Sequence, residues 1–304
     1  MRSLSRSELT AFALLVLVML LWAGNSIIGR AVRDDVPPLT LSLIRWTGAS
    51  LIILPFAWRG LERDWPLLRE GWKSVLALGV IGIGGFNALL YSGLHYTSAT
   101  NALLLQAAIP AGVLVFDRLV NKVRYPATQR LGVAVSTLGV VVIVFQGDPV
   151  HLLTLHLGAG DVLVLSAVIC WAFYTVWLRH APKVAPLSLL AATFLIGVVV
   201  MAPFALIEHL AGERIVWSAG TLGAFAYVCL FPSIVAYLIY NWATRILGAG
   251  RAGQAITLMP LFGALLSTAL LGEAIHGYHF AGMGLILAGI VASALAGRSQ
   301  ATGA

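Results

Sequence analysis

Ten long apolar runs, separated by short polar gaps, account for most of the 304-residue chain. They lie at Leu9–Ile28, Pro38–Trp58, Ser74–His95, Ser98–Asp117, Gln129–Phe145, Ala159–Leu178, Pro186–Ile207, Thr221–Ala243, Arg251–Leu271 and Tyr278–Ala296. Each approaches the ~20 residues that a helix needs to cross a ~30 Å hydrocarbon core. The runs are continuously apolar, whereas barrel strands alternate in segments of about ten residues. The pattern therefore predicts an all-α membrane protein of ten transmembrane helices, with loops too short to hold a soluble domain.

The pattern also repeats. Shifted by 149, Trp22-Ala23 falls on Trp171-Ala172, Arg30 on Arg179 and Pro37 on Pro186. Shifted by 150, Ala99 and Ala102 fall on Ala249 and Ala252, Pro110 on Pro260, Gly132 on Gly282 and Gly139 on Gly289. The register divides the chain into residues 1–147 and 148–304, five helices each. Five is odd, so the second copy must enter the bilayer inverted relative to the first. Inverted repeats are the architecture of alternating-access carriers, with substrate held near the bilayer midplane.

Charge placement supplies the orientation. With the N-terminus inside, 15 of the 19 Lys and Arg residues fall in inside segments; Arg30, Arg33 and Arg214 fall outside, and Arg45 is embedded. The excess of basic residues marks the cytoplasmic side, so both termini are expected there. The first run is longer than the ~7–15 residues of a secretory h-region and has no clear cleavage site after it, so it reads as a retained helix. Composition agrees: 60% of residues are hydrophobic and 10% charged, against about 25% charged in soluble domains. The net charge of +7 is scattered through the gaps and does not form the clustered face of a nucleic-acid binder. The two cysteines, Cys170 and Cys229, carry no metal spacing or disulfide framework.

Ten helices in two five-helix repeats, a Trp-Ala pair late in helices 1 and 6, a mid-helix proline in helices 4 and 9, and Leu271-Gly272-Glu273 after helix 9 resemble the EamA family of the drug/metabolite transporter superfamily. Within it the chain looks closest to the YddG-type exporters of aromatic amino acids. The resemblance implies a bacterial inner-membrane exporter with a central cavity between the halves. One departure is that Lys122-Val123 stand in the first repeat where Gly272-Glu273 stand in the second.

Polar side chains within a membrane tend to face the bundle interior or an aqueous cavity. The candidates for substrate binding are Trp22 and Asn25 in helix 1, Asn87 and Tyr91 in helix 3, and Asn101 in helix 4. Their counterparts are Trp171 and Tyr174 in helix 6, Tyr237 and Asn241 in helix 8, and Gln254 in helix 9. Amide and phenol exchange places between Asn87/Tyr91 and Tyr237/Asn241. Such a lining suits a small amphipathic molecule with a flat apolar part: rings supply contact area, and amides meet ammonium or carboxylate. Each residue has a structural alternative as interhelical glue. Pro110 and Pro260 are expected to kink or gate helices 4 and 9. Arg45 is left with three options: snorkelling outward, pairing with an acid such as Asp34, or holding a substrate carboxylate.

The expected activity is export of aromatic or hydrophobic amino acids, or similar small metabolites, by alternating access. No cofactor is implied; the partners are the small-molecule substrate and the lipid bilayer. A nucleotide-sugar or phosphometabolite carrier is the first alternative, and would call for two or more cations at cavity depth. An intramembrane lipid-processing enzyme is the second, and would call for a convergent His/Asp/Glu cluster. Gly158-Ala159-Gly160-Asp161 resembles a GxGD protease motif, but the partner acid that chemistry requires is absent from its side of the bilayer. No serine-hydrolase, zinc-hydrolase or P-loop motif occurs.

Overall fold

A computed structural model describes residues 5–145, 148, 158–271 and 276–299. Among these residues every regular element is helical. The first half comprises α1 (Arg6–Ala31), α2 (Pro38–Glu70), α3 (Trp72–Tyr96), α4 (Ala99–Gln106), α5 (Ile109–Asn121) and α6 (Ala127–Val144). The second comprises α7 (Ala159–His180), α8 (Pro186–Leu210), α9 (Ala219–Leu247), α10 (Ala249–Ala255), α11 (Met259–Leu271) and α12 (Gly277–Ser299). Six of them, α1, α2, α3, α7, α8 and α9, are long and apolar enough to cross a membrane, and Phe280–Ala292 within α12 forms a shorter apolar stretch.

The fourth and ninth runs are not single helices. The chain turns at Ala107-Ala108 between α4 and α5, and passes through a 3-10 turn, Ile256–Leu258, between α10 and α11. Pro110 sits in the first turn of α5 and Pro260 second in α11. There a missing N–H is harmless and the fixed φ suits a helix start. Each proline opens a new helix directly after a break in its run. The second run also extends beyond Trp58. α2 continues through Arg59–Glu70, burying Asp64 and Leu68 on one face, so the charged segment read as a loop is helical.

Two π-helical stretches interrupt α3 and α9 at equivalent places, Leu78–Gly85 and Leu230–Val235. The second has a local cause. Pro232 has no N–H to donate to the carbonyl of Val228, one turn earlier. The Ser233 hydroxyl donates to that carbonyl instead, at 2.6 Å. In the first, Gly82 lets Tyr174 pack directly on the backbone: a Cβ there would meet the Tyr174 Cγ at 2.6 Å.

Two pairs of corresponding helices, α2 with α8 and α6 with α12, lie antiparallel. At one end of the bundle Glu208, late in α8, accepts from the Leu39 N–H (2.9 Å) and Thr40 N–H (2.7 Å) in the first turn of α2. At the other end Asp64, late in α2, accepts from the Ala185 N–H that precedes α8, at 2.8 Å. Each carboxylate satisfies orphan donors of the facing helix and complements its dipole. α6 and α12 cross through their glycines in the same reciprocal way. A Cβ on Gly139 would lie 2.5 Å from the Gly282 carbonyl oxygen, and one on Gly289 would strike the Gly132 carbonyl and Ser136. Close glycine contacts of this kind let helices pack where lipid offers no hydrophobic drive to association.

Candidate functional site

The middle of the bundle is where the halves meet. Trp22 of α1 and its counterpart Trp171 of α7 touch edge to face, with ring centroids 4.9 Å apart and planes at 82°. Tyr237 of α9 closes on both, at 5.9 Å from Trp22 and 5.4 Å from Trp171. Phe86 and Tyr174 flank Trp171 at 4.7 and 4.9 Å. Such edge-to-face and tilted pairs are worth about 0.5–1.5 kcal/mol each beyond area burial. The cavity left between these rings is about 20 Å³, room for roughly one water. The conformation is closed over its centre.

Against this aromatic wall stands a polar one built around Arg45, which is 2% exposed. Its Nε donates to the Ser233 hydroxyl (2.6 Å) and its Nη2 to the Pro232 carbonyl (3.1 Å), both in the π segment of α9. Its Nη1 reaches Asn87 Oδ1 (2.8 Å), Tyr91 Oη (2.9 Å) and Asn25 Oδ1 (3.2 Å). The Asn87 amide is oriented for this by donating its Nδ2 to Ile83 O of its own helix, at 2.9 Å. Trp22 adds a second donor to the Pro232 carbonyl, at 3.0 Å. The π segment thereby presents a carbonyl and a hydroxyl to the Arg45 guanidinium.

The amide–phenol exchange reappears as geometry. In the first half Tyr91 Oη donates to Asn25 Oδ1 at 2.8 Å; in the second Tyr174 Oη donates to Asn241 Oδ1 at 2.9 Å. The two pairs occupy equivalent positions with the residue types interchanged. Arg45 has no such echo: 149 residues on stands Phe194, fully buried and 5.9 Å from Tyr237. The cation of the site therefore comes from the first half alone, while rings and polar groups come from both halves.

Among the candidates, the structure gathers Trp22, Asn25, Asn87, Tyr91, Trp171, Tyr174, Tyr237 and Asn241 within this buried core. Gln254 does not join them. Its Nε2 donates to the Gly289 carbonyl of α12 at 3.0 Å, and it borders a lateral crevice with Phe12 and Val16. The Asn101 side chain lies outside what is described, as do Gly272 and Glu273 of the family-like motif. Sequence reasoning left Gln106 out, although it lines the central cavity beside Ile109. Arg45 was recognised as embedded, but two of its three options fall away: its head does not reach a surface, and Asp34 pairs with Arg33 at 3.3 Å.

Each end of the bundle is closed by polar contacts within and between the halves. At the end carrying the α1 N-terminus, the fully buried Asp117 accepts from Asn121 (2.6 Å), from Tyr125 Oη and from Arg179 (3.5 Å), and Asn121 also meets His180 at 2.8 Å. Burial and the adjacent Asp117 carboxylate push the Tyr125 phenol, in the loop after α5, well above its ordinary range. At the opposite end Thr97 donates to Asp161 at 2.9 Å, while Arg30 donates to the Leu94 carbonyl at 2.7 Å. Asp161 also accepts from the Gly158 N–H at 3.1 Å, as a first-turn acid should.

The EamA-like transporter family model matches residues 9–145 and again residues 158–295. The uncharacterized transporter YyaM of Bacillus subtilis is 31% identical over 79% of this chain and 78% of its own. An uncharacterized transporter of Archaeoglobus fulgidus is 30% identical over 86% and 89%, and the uncharacterized inner membrane transporter YedA of Escherichia coli K12 is 25% identical over 94% and 91%. A solved crystal structure has the same fold, with a TM-score of 0.71 at 20% identity over 97% of this chain and 99% of that one. The double match, one to each half, joins the structural pairing of the halves to one conclusion: the chain is a multi-pass membrane protein that belongs to the EamA-like transporter family.

Proposed function

We propose that the protein exports aromatic or hydrophobic amino acids, or similar small metabolites, across the bacterial inner membrane by alternating access. In this reading ten helical columns cross the bilayer, with α4/α5 and α10/α11 each forming one broken column. The repeats span residues 1–147 and 148–304, inverted to each other, and both termini are cytoplasmic. The opposed carboxylate caps of α2 and α8 and the reciprocal glycine crossing of α6 and α12 support inversion. The observation that carries the substrate class is the cluster of Trp22, Trp171 and Tyr237 at the contact of the halves. It offers ring faces and edges to a flat apolar group, with amides and phenols at its rim. Because the cavity is closed, substrate must separate the halves to enter, and closure around it would expel water. A phosphometabolite would call for more than the single cation, Arg45, that the described central core supplies.

The test is uptake by proteoliposomes of phenylalanine, tryptophan, 3-phenylpropanoate, threonine and a phosphorylated sugar. The expected result is transport confined to ring-bearing compounds and at least tenfold weaker in Trp171→Ala protein that remains folded. Transport of the phosphorylated sugar alone would overturn the reading.

A further inference from the structure

Arg45 carries a full charge in the interior of a membrane protein without a counter-charge. Every acidic residue except Glu273 has a described position, and none pairs with it; ion pairs elsewhere include Arg33–Asp34, Arg63–Asp64, Arg179–Asp117 and Arg251–Glu8. A guanidinium has five N–H donors. Nε uses one on Ser233, Nη1 shares its two among three acceptors, and Nη2 places one on the Pro232 carbonyl. One Nη2 hydrogen remains without an acceptor among these contacts. Arg45 lines the central cavity, and so does Ser26, whose fully buried hydroxyl has no partner.

Neutral dipoles and the face of Trp46, whose ring centroid lies 4.6 Å from Arg45 Cζ, stabilise Arg45 but supply no counter-charge. A buried charge that lacks a partner is strongly unfavourable, and membranes retain such groups where they bind or move a charged species. A zwitterion would leave the loaded site at a net +1; a monoanion would bring it to zero. An ammonium would also compete for acceptors already engaged, since Asn25 Oδ1 receives Tyr91 and Arg45, and Asn87 Oδ1 receives Arg45. The rings of Trp22, Trp171 and Tyr237, which line the same cavity, give an aromatic ring its seat.

We infer that the substrate is an aromatic monocarboxylate without a free ammonium group, its carboxylate held by the free Nη2 hydrogen of Arg45 and the Ser26 hydroxyl, so that each turnover moves one net negative charge. This rests on the aromatic-carrier reading above and narrows it to the similar small metabolites named there, in place of the amino acids themselves. It also supplies the driving force. No described acid sits at the core to couple proton or sodium entry. An inside-negative potential of 100 mV alone sustains an outward gradient of about 50-fold for a monovalent anion.

The experiment uses the full-length protein in vesicles at a fixed pH above 7, with a potassium gradient and valinomycin setting the potential and protein-free vesicles subtracted. Three matched probes share one phenyl ring: 3-phenylpropanoate (anion), phenylalanine (zwitterion) and 2-phenylethylamine (cation). The expected result is 3-phenylpropanoate uptake at least tenfold above the other two, rising when the lumen is made positive. Arg45→Gln should lower that uptake at least tenfold, while Arg45→Lys retains the preference for the anion; melting curves establish that each variant is folded. Phenylalanine carried as fast as 3-phenylpropanoate, or uptake indifferent to the potential in the wild type, would overturn the inference and leave the aromatic-carrier reading standing. Absence of uptake of all three, with the phosphorylated sugar carried, would overturn both.

Discussion

Gly82 is the point where the two halves approach most closely beside the site, and replacing it with alanine isolates that approach. The new methyl carbon would sit 2.6 Å from Tyr174 Cγ and 2.9 Å from Tyr174 Cβ. The nearest atom is Tyr174 Cδ2, so the ring and its α7 backbone must retreat by about 1.5 Å to reach ordinary carbon–carbon contact of ~3.5 Å. Overpacking of this size costs about 1–3 kcal/mol. The same retreat stretches the 2.9 Å bond from Tyr174 Oη to Asn241, a further loss of about 0.5–1.5 kcal/mol. Together these weigh against the closed conformation by about 1.5–4.5 kcal/mol, a factor of roughly 10 to 1,600 in any equilibrium with an opened form. The assay pairs thermal melting in detergent with initial transport rates, using Gly223→Ala as control because a Cβ there meets nothing within 4 Å. The expected result is a melting temperature lower by about 5–10 °C and transport at a tenth or less, with the control unchanged. Gly82→Ala protein that melts and transports like Gly223→Ala would refute the claim that this contact holds the closed state.

Glu208→Gln should lower stability by about 1–2 kcal/mol, because a charged acceptor on two first-turn N–H groups of α2 becomes a neutral one; a melting temperature equal to wild type would count against the reciprocal capping of α2 and α8. Tyr125→Phe should destabilise at neutral pH through its lost bond to Asp117. The folded-state phenol titrates above its unfolded value, so its contribution is complete below pH ~10 and is lost as pH rises toward the folded value. The gap in melting temperature between wild type and Tyr125→Phe should therefore narrow above pH ~10, and a gap that stays constant would contradict the assigned contact.

The apolar runs placed α1, α3, α7, α8 and α9 to within a few residues, because in lipid every spanning backbone must satisfy itself by helical bonding. The end of α2 was not legible the same way. Arg59–Glu70 lacks an apolar run, and its helix is secured by one face, where Asp64 reaches Ala185 from more than a hundred residues away. The breaks after Gln106 and Ala255 were hidden for a different reason. A proline announces a disturbance, but whether the helix bends or restarts depends on what packs around it. Gln106 and Gln254, each at the end of the short helix before its break, differ in what packs on them: Gln106 lines the cavity and Gln254 donates to α12. The amide–phenol exchange was readable as spacing because it follows the repeat. Arg45 was visible as embedded, yet its partners Pro232 and Ser233 belong to the other half, and only the folded chain brings them to it.

The account depends on two halves that oppose each other across the bilayer. Its most direct test is membrane-impermeant maleimide labelling in intact cells, with Cys170 and Cys229 replaced and single cysteines introduced at Asp34, Glu213, Lys122 and Lys183. These four positions fall in loops at the two ends of the bundle, one at each end from each half. The expected result is labelling of Asp34→Cys and Glu213→Cys, with Lys122→Cys and Lys183→Cys labelled only after the membrane is opened. Labelling of Asp34→Cys together with Lys183→Cys, and protection of Glu213→Cys, would mean that the halves run parallel and would contradict the carrier built on their opposition.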